Sequence, residues 1–153
     1  MTSLEEILAR DGVLVYKTRG TSMEPLLRQD RDLVIIRAPE ARLKKGDVAL
    51  YRRGESYVLH RVIEVRDDHY LIRGDNTFAP EKVPCGAVIG VMTGFRRKGR
   101  EYGAADAGYL RYVRVWNALY PLRLAWFCLI RGLKAAARKL GLTRLIKRLL
   151  RYE

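Results

Sequence analysis

Three polar residues in the first half of the chain are the parts of an acyl-transfer machine: Ser22, His60 and Asp75. Ser22 lies in Gly20-Thr21-Ser22-Met23-Glu24-Pro25. Glycine admits backbone conformations that other residues avoid, and proline fixes the chain just beyond the turn. Such a run can hold a hydroxyl at the lip of a sheet. A hydroxyl is a weak nucleophile until a base takes its proton. His60, in Leu59-His60-Arg61-Val62-Ile63, is the natural base because imidazole titrates near neutral pH. Asp75, in Arg73-Gly74-Asp75-Asn76, offers a carboxylate to the second imidazole nitrogen, which would fix its tautomer and stabilise the imidazolium. Taken singly, each has a plainer use: a surface turn, a satisfied strand histidine, a hairpin tip. The combination carries the reading.

Other candidates are weaker. Lys44 and Lys45 offer a Ser–Lys dyad but abut the turn Lys44-Lys45-Gly46-Asp47 and read as solvated charges. His69 follows two aspartates without a second ligand cluster. Cys85 and Cys128 form no Cys-x-x-Cys motif and read as small packing residues. No metal, cofactor or disulfide is expected.

The ordered boxes resemble those of type I signal peptidases. Ser22-Met23-Glu24-Pro25-Leu26-Leu27 is similar to their Ser-Met-x-Pro-x-Leu box, and Lys45-Gly46-Asp47-Val48 to their Gly-Asp-Val box. His60-Arg61-Val62-Ile63 and Gly74-Asp75-Asn76 resemble the later boxes of the archaeal and endoplasmic-reticulum branch. That branch uses histidine where most bacterial members, and the LexA-like self-cleaving proteins, use lysine. The likeness covers roughly residues 13 to 95. It implies a β-rich serine endopeptidase with Ser22 as nucleophile, His60 as general base and Asp75 as orienting acid, acting on peptides with small side chains before the cut. It also implies the Ser22 backbone N–H as an oxyanion donor. The branch often carries a second acid six residues beyond the aspartate, and that position here is Glu81.

Short apolar or alternating runs must position these residues. Ser3 and Glu6 form a capping box for a short helix that ends near Asp11-Gly12. Strands are expected at Val13–Tyr16, Asp32–Arg37, Val48–Tyr51, Tyr57–Val65, His69–Arg73 and Ala87–Met92, separated by Gly- and Asp-rich turns. Regularly spaced short strands predict a mainly β, antiparallel domain over residues 1–102. A basic helical appendage over 103–153 follows a hinge of small residues at Gly103–Gly108. Its helices are expected up to Pro121, over Leu122–Leu140, and from Leu142, where Leu142, Leu145, Ile146, Leu149 and Leu150 form one stripe.

Charge separates the two parts. The chain carries 30 Lys and Arg against 17 Asp and Glu, a net of +13. From Arg111 onward there are eleven bases and one acid. Such a tail seeks phosphate. Nucleic acid is disfavoured, because the bases are interleaved with large aromatics and no DNA-binding module precedes Ser22. An anionic membrane surface fits better: Trp116, Trp126 and Phe127 suit the headgroup region, and Lys and Arg suit anionic lipid. The best apolar window, Val115–Ile130, is interrupted by Arg123, so an in-plane helix is expected rather than a span. Met1-Thr2-Ser3-Leu4-Glu5-Glu6 lacks the basic and apolar regions of a leader. The expectation is a serine endopeptidase at the cytoplasmic face of a membrane, cleaving an extended peptide. The alternative is an idle binding or regulatory module of the same fold.

Overall fold

The computed structural model describes residues 3–139. Its first element, α1 (Leu4–Asp11), starts at the predicted capping box: Glu6 N–H donates to Ser3 Oγ and Ser3 N–H to Glu6 Oε2, each at 3.1 Å. It stops at Gly12, whose φ of +70° reverses the chain into the first strand. Eight strands follow: β1 (Val13–Lys17), β2 (Asp32–Arg37), β3 (Val48–Arg53), β4 (Ser56–Val65), β5 (His69–Arg73), β6 (Glu81–Pro84), β7 (Val88–Arg97) and β8 (Arg100–Gly103). All pairings are antiparallel, in the order β1-β2-β7-β3-β4-β5-β6, with β8 added to β7. The chain is therefore mainly antiparallel β with C-terminal helices, as expected.

Two strands lie outside the expected set, β6 and β8, and β7 runs five residues beyond Met92. Glu81-Lys82-Val83-Pro84 has one buried residue, Val83, and a terminal proline, so it carries almost no period-2 signal. It is a strand because β5 presents an open ladder to it, Ile72 opposite Glu81 and Tyr70 opposite Val83.

The centre of the sheet is covered on both faces, which explains the unbroken apolar run Val48-Ala49-Leu50-Tyr51 in β3, all of it buried. Alternation sends Val48 and Leu50 into one cluster with Leu59, Met23, Leu26, Leu27 and Phe95. Ala49 and Tyr51 join the other, with Val62, Tyr70, Ile72 and Val83.

The described residues fall into two compact units that divide between Arg114 and Val115. Two interactions hold residues 103–114 in the first unit. β8 pairs with β7 across Gly94 and Gly103. The first turns of α2 (Ala107–Ala118) belong to the β unit, where Tyr109 is buried in its core. The predicted hinge is a tight turn in which Asp106 Oδ2 accepts from the Gly103 N–H at 2.7 Å. In the second unit α3 (Tyr120–Lys139) carries Pro121 in its first turn, where a missing N–H costs nothing. The stripe expected from Leu142 to Leu150 lies outside the described residues.

The segment after the serine turn is locked by Asp32, whose side chain is fully buried. Its carboxylate accepts from Arg31 at 2.7 and 2.8 Å, from the Arg28 N–H at 3.0 Å and from Arg97 of β7 at 3.2 Å. Burial opposes the charge, but these donors outweigh it and bring the carboxyl down to about 2. A depressed carboxyl stabilises the fold above its unfolded value of about 3.9 and loses that contribution as pH falls toward 2. The expected outcome is a loss of about 2 kcal/mol of unfolding free energy between pH 5 and 2 from this site. Urea titrations of the native chain and Asp32→Asn over that range check it: the variant starts less stable and lacks this part of the slope.

Candidate active site

Ser22 enters the structure on a single turn. Glu24 N–H donates to the Thr21 carbonyl at 3.1 Å and Leu27 N–H to the Met23 carbonyl at 2.9 Å. This winding puts Met23, Leu26 and Leu27 on one side, buried in the core, and leaves Ser22 at the surface of a cleft. Met23 thus seats the turn, while Gly20, at φ +81°, makes the entry into it. Among the described residues, neither the Ser22 hydroxyl nor its backbone N–H is engaged by another hydrogen bond.

The Gly74-Asp75-Asn76 corner, at the end of β5, clasps this turn from the far side. Asn76 N–H donates to the Ser22 carbonyl at 2.8 Å, and Asn76 Nδ2 to the Thr21 carbonyl at 3.2 Å. Gly74 sits between the serine turn and His60. A Cβ at that position would lie 2.6 Å from the Ser22 carbonyl oxygen and 3.1 Å from His60 Nε2. No side chain fits there, and that close approach is what lets the serine turn and the imidazole share one cleft of about 880 Å³. Ser22 and His60 both line it, with no hydrogen bond between them.

His60 sits on β4 opposite Ala49 and is 8% exposed. Its Nδ1 lies 3.1 Å from Glu81 Oε1 and 3.2 Å from Tyr51 Oη. The Tyr51 hydroxyl also donates to Glu81 Oε1. With an ionised carboxylate as the shared acceptor, Nδ1 carries the imidazole proton and Nε2 keeps its lone pair toward Gly74 and the serine turn. Burial lowers the imidazole pKa below its ordinary value, only partly offset by Glu81. The ring is therefore neutral at pH 7 and able to take a proton. Glu81 itself is held below the ordinary carboxyl range: burial works against its charge, but Tyr51 and His60 more than compensate.

Asp75, expected to orient the imidazole, meets a guanidinium in this geometry. Its carboxylate is paired with Arg61: Oδ1 accepts from Nε and Oδ2 from Nη2, each at 2.7 Å. Tyr112 donates to Oδ2 at 2.9 Å. Both members of the pair are almost wholly buried. Arg61 adds a hydrogen bond to the Gly46 carbonyl at 2.7 Å and one to Tyr109 Oη at 3.0 Å. Asp75 is thus the counter-ion of a buried guanidinium, and Glu81 is the acid that meets Nδ1. Sequence had marked Glu81 as a second acid, but not that it would displace the first. The one signal available was Arg61, an arginine inside an apolar strand, which must claim a carboxylate when buried. Tyr51 carries no sequence signal beyond its place in a strand. Lys44 and Lys45 are exposed on their turn and do not line the cleft, so they supply no base to Ser22. Among the described residues no His, Cys, Asp and Glu cluster could hold a metal ion.

These assignments separate stability from turnover. Asp75→Ala leaves Arg61 buried without its counter-ion and is expected to cost about 3–5 kcal/mol of unfolding free energy. Glu81→Gln is expected to fold normally and to lower peptide turnover by up to about 10⁴-fold, since the imidazole loses its orienting charge. The pH profile gives the sign. A base role for His60 needs the neutral ring, so a rate that depends on it is expected to fall as pH drops through an inflection below about 6.5. Glu81→Gln removes a charge that favours the imidazolium, and the inflection moves lower still. Thermal melts and rate–pH profiles of the two variants check this; a normal melting temperature for Asp75→Ala together with Glu81→Gln at full rate would reverse the roles.

Comparison with known proteins adds to the geometry. No curated protein matches the chain. The peptidase S24-like family model matches residues 2–93, which takes in α1, the serine turn, the His60 strand, the Gly74 corner and Glu81. That family covers LexA-like and signal-peptidase-I-like serine peptidases. A match over more than half the sequence, on the segment that builds the cleft, places this chain in the peptidase S24-like family.

Proposed function

We propose that the protein is a serine endopeptidase of signal-peptidase type that cleaves an extended peptide segment at a membrane surface. The observation that carries the catalytic part is the convergence at Gly74 of the serine turn and of His60 Nε2, with Nδ1 backed by a carboxylate. Ser22 Oγ attacks the scissile carbonyl as Nε2 takes its proton. The Ser22 N–H stabilises the oxyanion. The imidazolium, balanced by Glu81, then protonates the leaving amine, and water hydrolyses the acyl-enzyme by the same relay. β1 supports an extended substrate, because its one pairing among the described residues is with β2, and its last residue Lys17 and the chain on to Gly20 line the cleft on the way to Ser22.

The membrane part rests on α3. Leu122, Trp126, Leu129 and Leu133 recur at helical spacing and are 53–68% exposed, which leaves a long apolar stripe in water. Arg123, Arg131, Lys134 and Arg138 flank it, and α3 contains no acid. Among the described residues no helix is long and apolar enough to cross a membrane. An in-plane helix with its stripe among acyl chains and its bases at anionic headgroups fits this pattern.

Two measurements test the two parts. A fluorophosphonate or lipopeptide-type probe is expected to label native protein at Ser22, and Ser22→Ala and His60→Ala are expected to abolish labelling and peptide cleavage while melting as the native chain does. Absence of labelling in the native chain would favour the idle binding module. The full chain is expected to sediment with phosphatidylglycerol vesicles, less in about 1 M salt, where screening shortens the electrostatic range to about 3 Å. Trp126→Glu with Leu129→Glu should release it; retained sedimentation would refute the α3 contact.

A further inference from the structure

The cleft holds a polar group that the acyl-transfer machinery does not use. Thr18 directly follows β1, four residues before Ser22, and is 6% exposed. Its Oγ1 is the one buried side-chain polar atom without a hydrogen-bond partner among the described residues. A buried hydroxyl without a partner is destabilising, because it has lost water and gained nothing. Thr18 lines the same cleft as Ser22 and His60. A ligand in the cleft that reaches this hydroxyl would supply the missing partner.

The charges around it indicate what that is. Lys17, Arg19 and Arg53 line the cleft, and no Asp or Glu does. Lys17 and Arg19 have no carboxylate partner among the described residues, and Arg53 has only a long, exposed contact with Glu81 at 3.4 Å. Two acids of α1 contact cleft-lining residues and both are engaged, Glu5 by the Tyr57 hydroxyl and Glu6 by the Ser3 backbone N–H. A cleft lined by one sign of charge concentrates ligands of the other.

We propose that the cleft selects an acidic peptide, seating a substrate carboxylate so that Thr18 Oγ1 donates a hydrogen bond to it while Lys17 and Arg19 balance its charge. This deepens the peptidase reading, on which it rests for the nature of the ligand. It differs from the small side chains that resemblance alone implied. A hydroxyl donating to a carboxylate forms the stronger, charge-assisted kind of hydrogen bond, and a threonine offers it without a competing charge.

The test reads binding rather than cleavage, so it does not depend on turnover. Full-length Ser22→Ala protein is titrated against labelled ten-residue Ala/Ser/Gly peptides carrying one Asp, Asn or Lys at each position in turn, with fluorescence anisotropy as readout. At the preferred position the Asp peptide is expected to bind at least about tenfold more tightly than its Asn and Lys counterparts. Adding Thr18→Val should erase most of that preference and Thr18→Ser should keep it; Lys17→Ser with Arg19→Ser should weaken it and flatten its salt dependence. Thr18→Val should also melt at a higher temperature than its parent, since it removes the buried orphan hydroxyl. Equal affinity for Asp, Asn and Lys peptides, no binding by any of them, or an Asp preference that survives Thr18→Val overturns the proposal. Binding of acidic peptides by the Ser22→Ala protein while native protein cleaves none would sink the peptidase reading and leave this one standing.

Discussion

The corner at Gly74 depends on the buried ion pair between Arg61 and Asp75. A guanidinium with essentially no exposure is tolerable only if its charge and donors are matched. Asp75 takes two of those donors, with Gly46 and Tyr109 taking others. Burial would pull the guanidinium toward neutrality, but the Asp75 carboxylate more than reverses that. Replacing such a pair with apolar side chains often leaves stability unchanged or improves it. Its value here is positional. It ties the end of β5 to the middle of β4 and fixes the residues on either side of Asp75: Gly74 against His60, and Asn76 against the Ser22 carbonyl. It also recruits Tyr109 and Tyr112, which is why the first turns of α2 belong to the β unit.

His60 follows the opposite logic. Arg61 is kept charged by a full set of partners, whereas His60 is kept neutral by burial, with one carboxylate to bias its tautomer. Were Asp75 to serve both, Arg61 would compete with the imidazole for the same oxygens and would win on charge and bidentate geometry. Dividing the work between two acids removes the conflict. Tyr51 completes the division: its hydroxyl donates to Glu81 Oε1, so the glutamate is held ionised and in place even while the imidazole is neutral.

Much of this was legible in the residues, and the gaps have identifiable causes. The capping box at Ser3 and Glu6, the first five strands and the core role of Met23 follow from local chemistry: side chains that bond to neighbouring backbone, apolar runs, a turn between glycine and proline. β6 was not legible, because a four-residue edge with one buried side chain is made by its partner rather than by itself. The choice between Asp75 and Glu81 was not legible either. It is decided by which carboxylate Arg61 captures, and that contest is between side chains fourteen residues apart. The boundary after Arg114 was hidden for a similar reason. Tyr109 and Tyr112 carry the same helical spacing as the exposed aromatics that follow, and only the presence of Arg61 and Asp75 turns them inward.

The placement of His60 next to Arg61 on one strand has a consequence for how the site can change. Successive residues of a strand face opposite sides of the sheet. His60 shares its face with Ala49, Tyr51 and the second core cluster, and Arg61 shares its face with Val48 and the first. One peptide bond therefore joins the imidazole to the buried ion pair, and the two side chains point to opposite faces of the sheet. Substitutions around Tyr51 and Glu81 can retune the imidazole while the Arg61 pair still holds Gly74 and Asn76 in place. Substitutions around Tyr109 and Asp75 act first on the fold, and reach the imidazole through the Gly74 corner and through the loss of the Asp75 charge. Chemistry and stability are separated here by the pleat of a single strand, and Gly74 is the point at which they meet again.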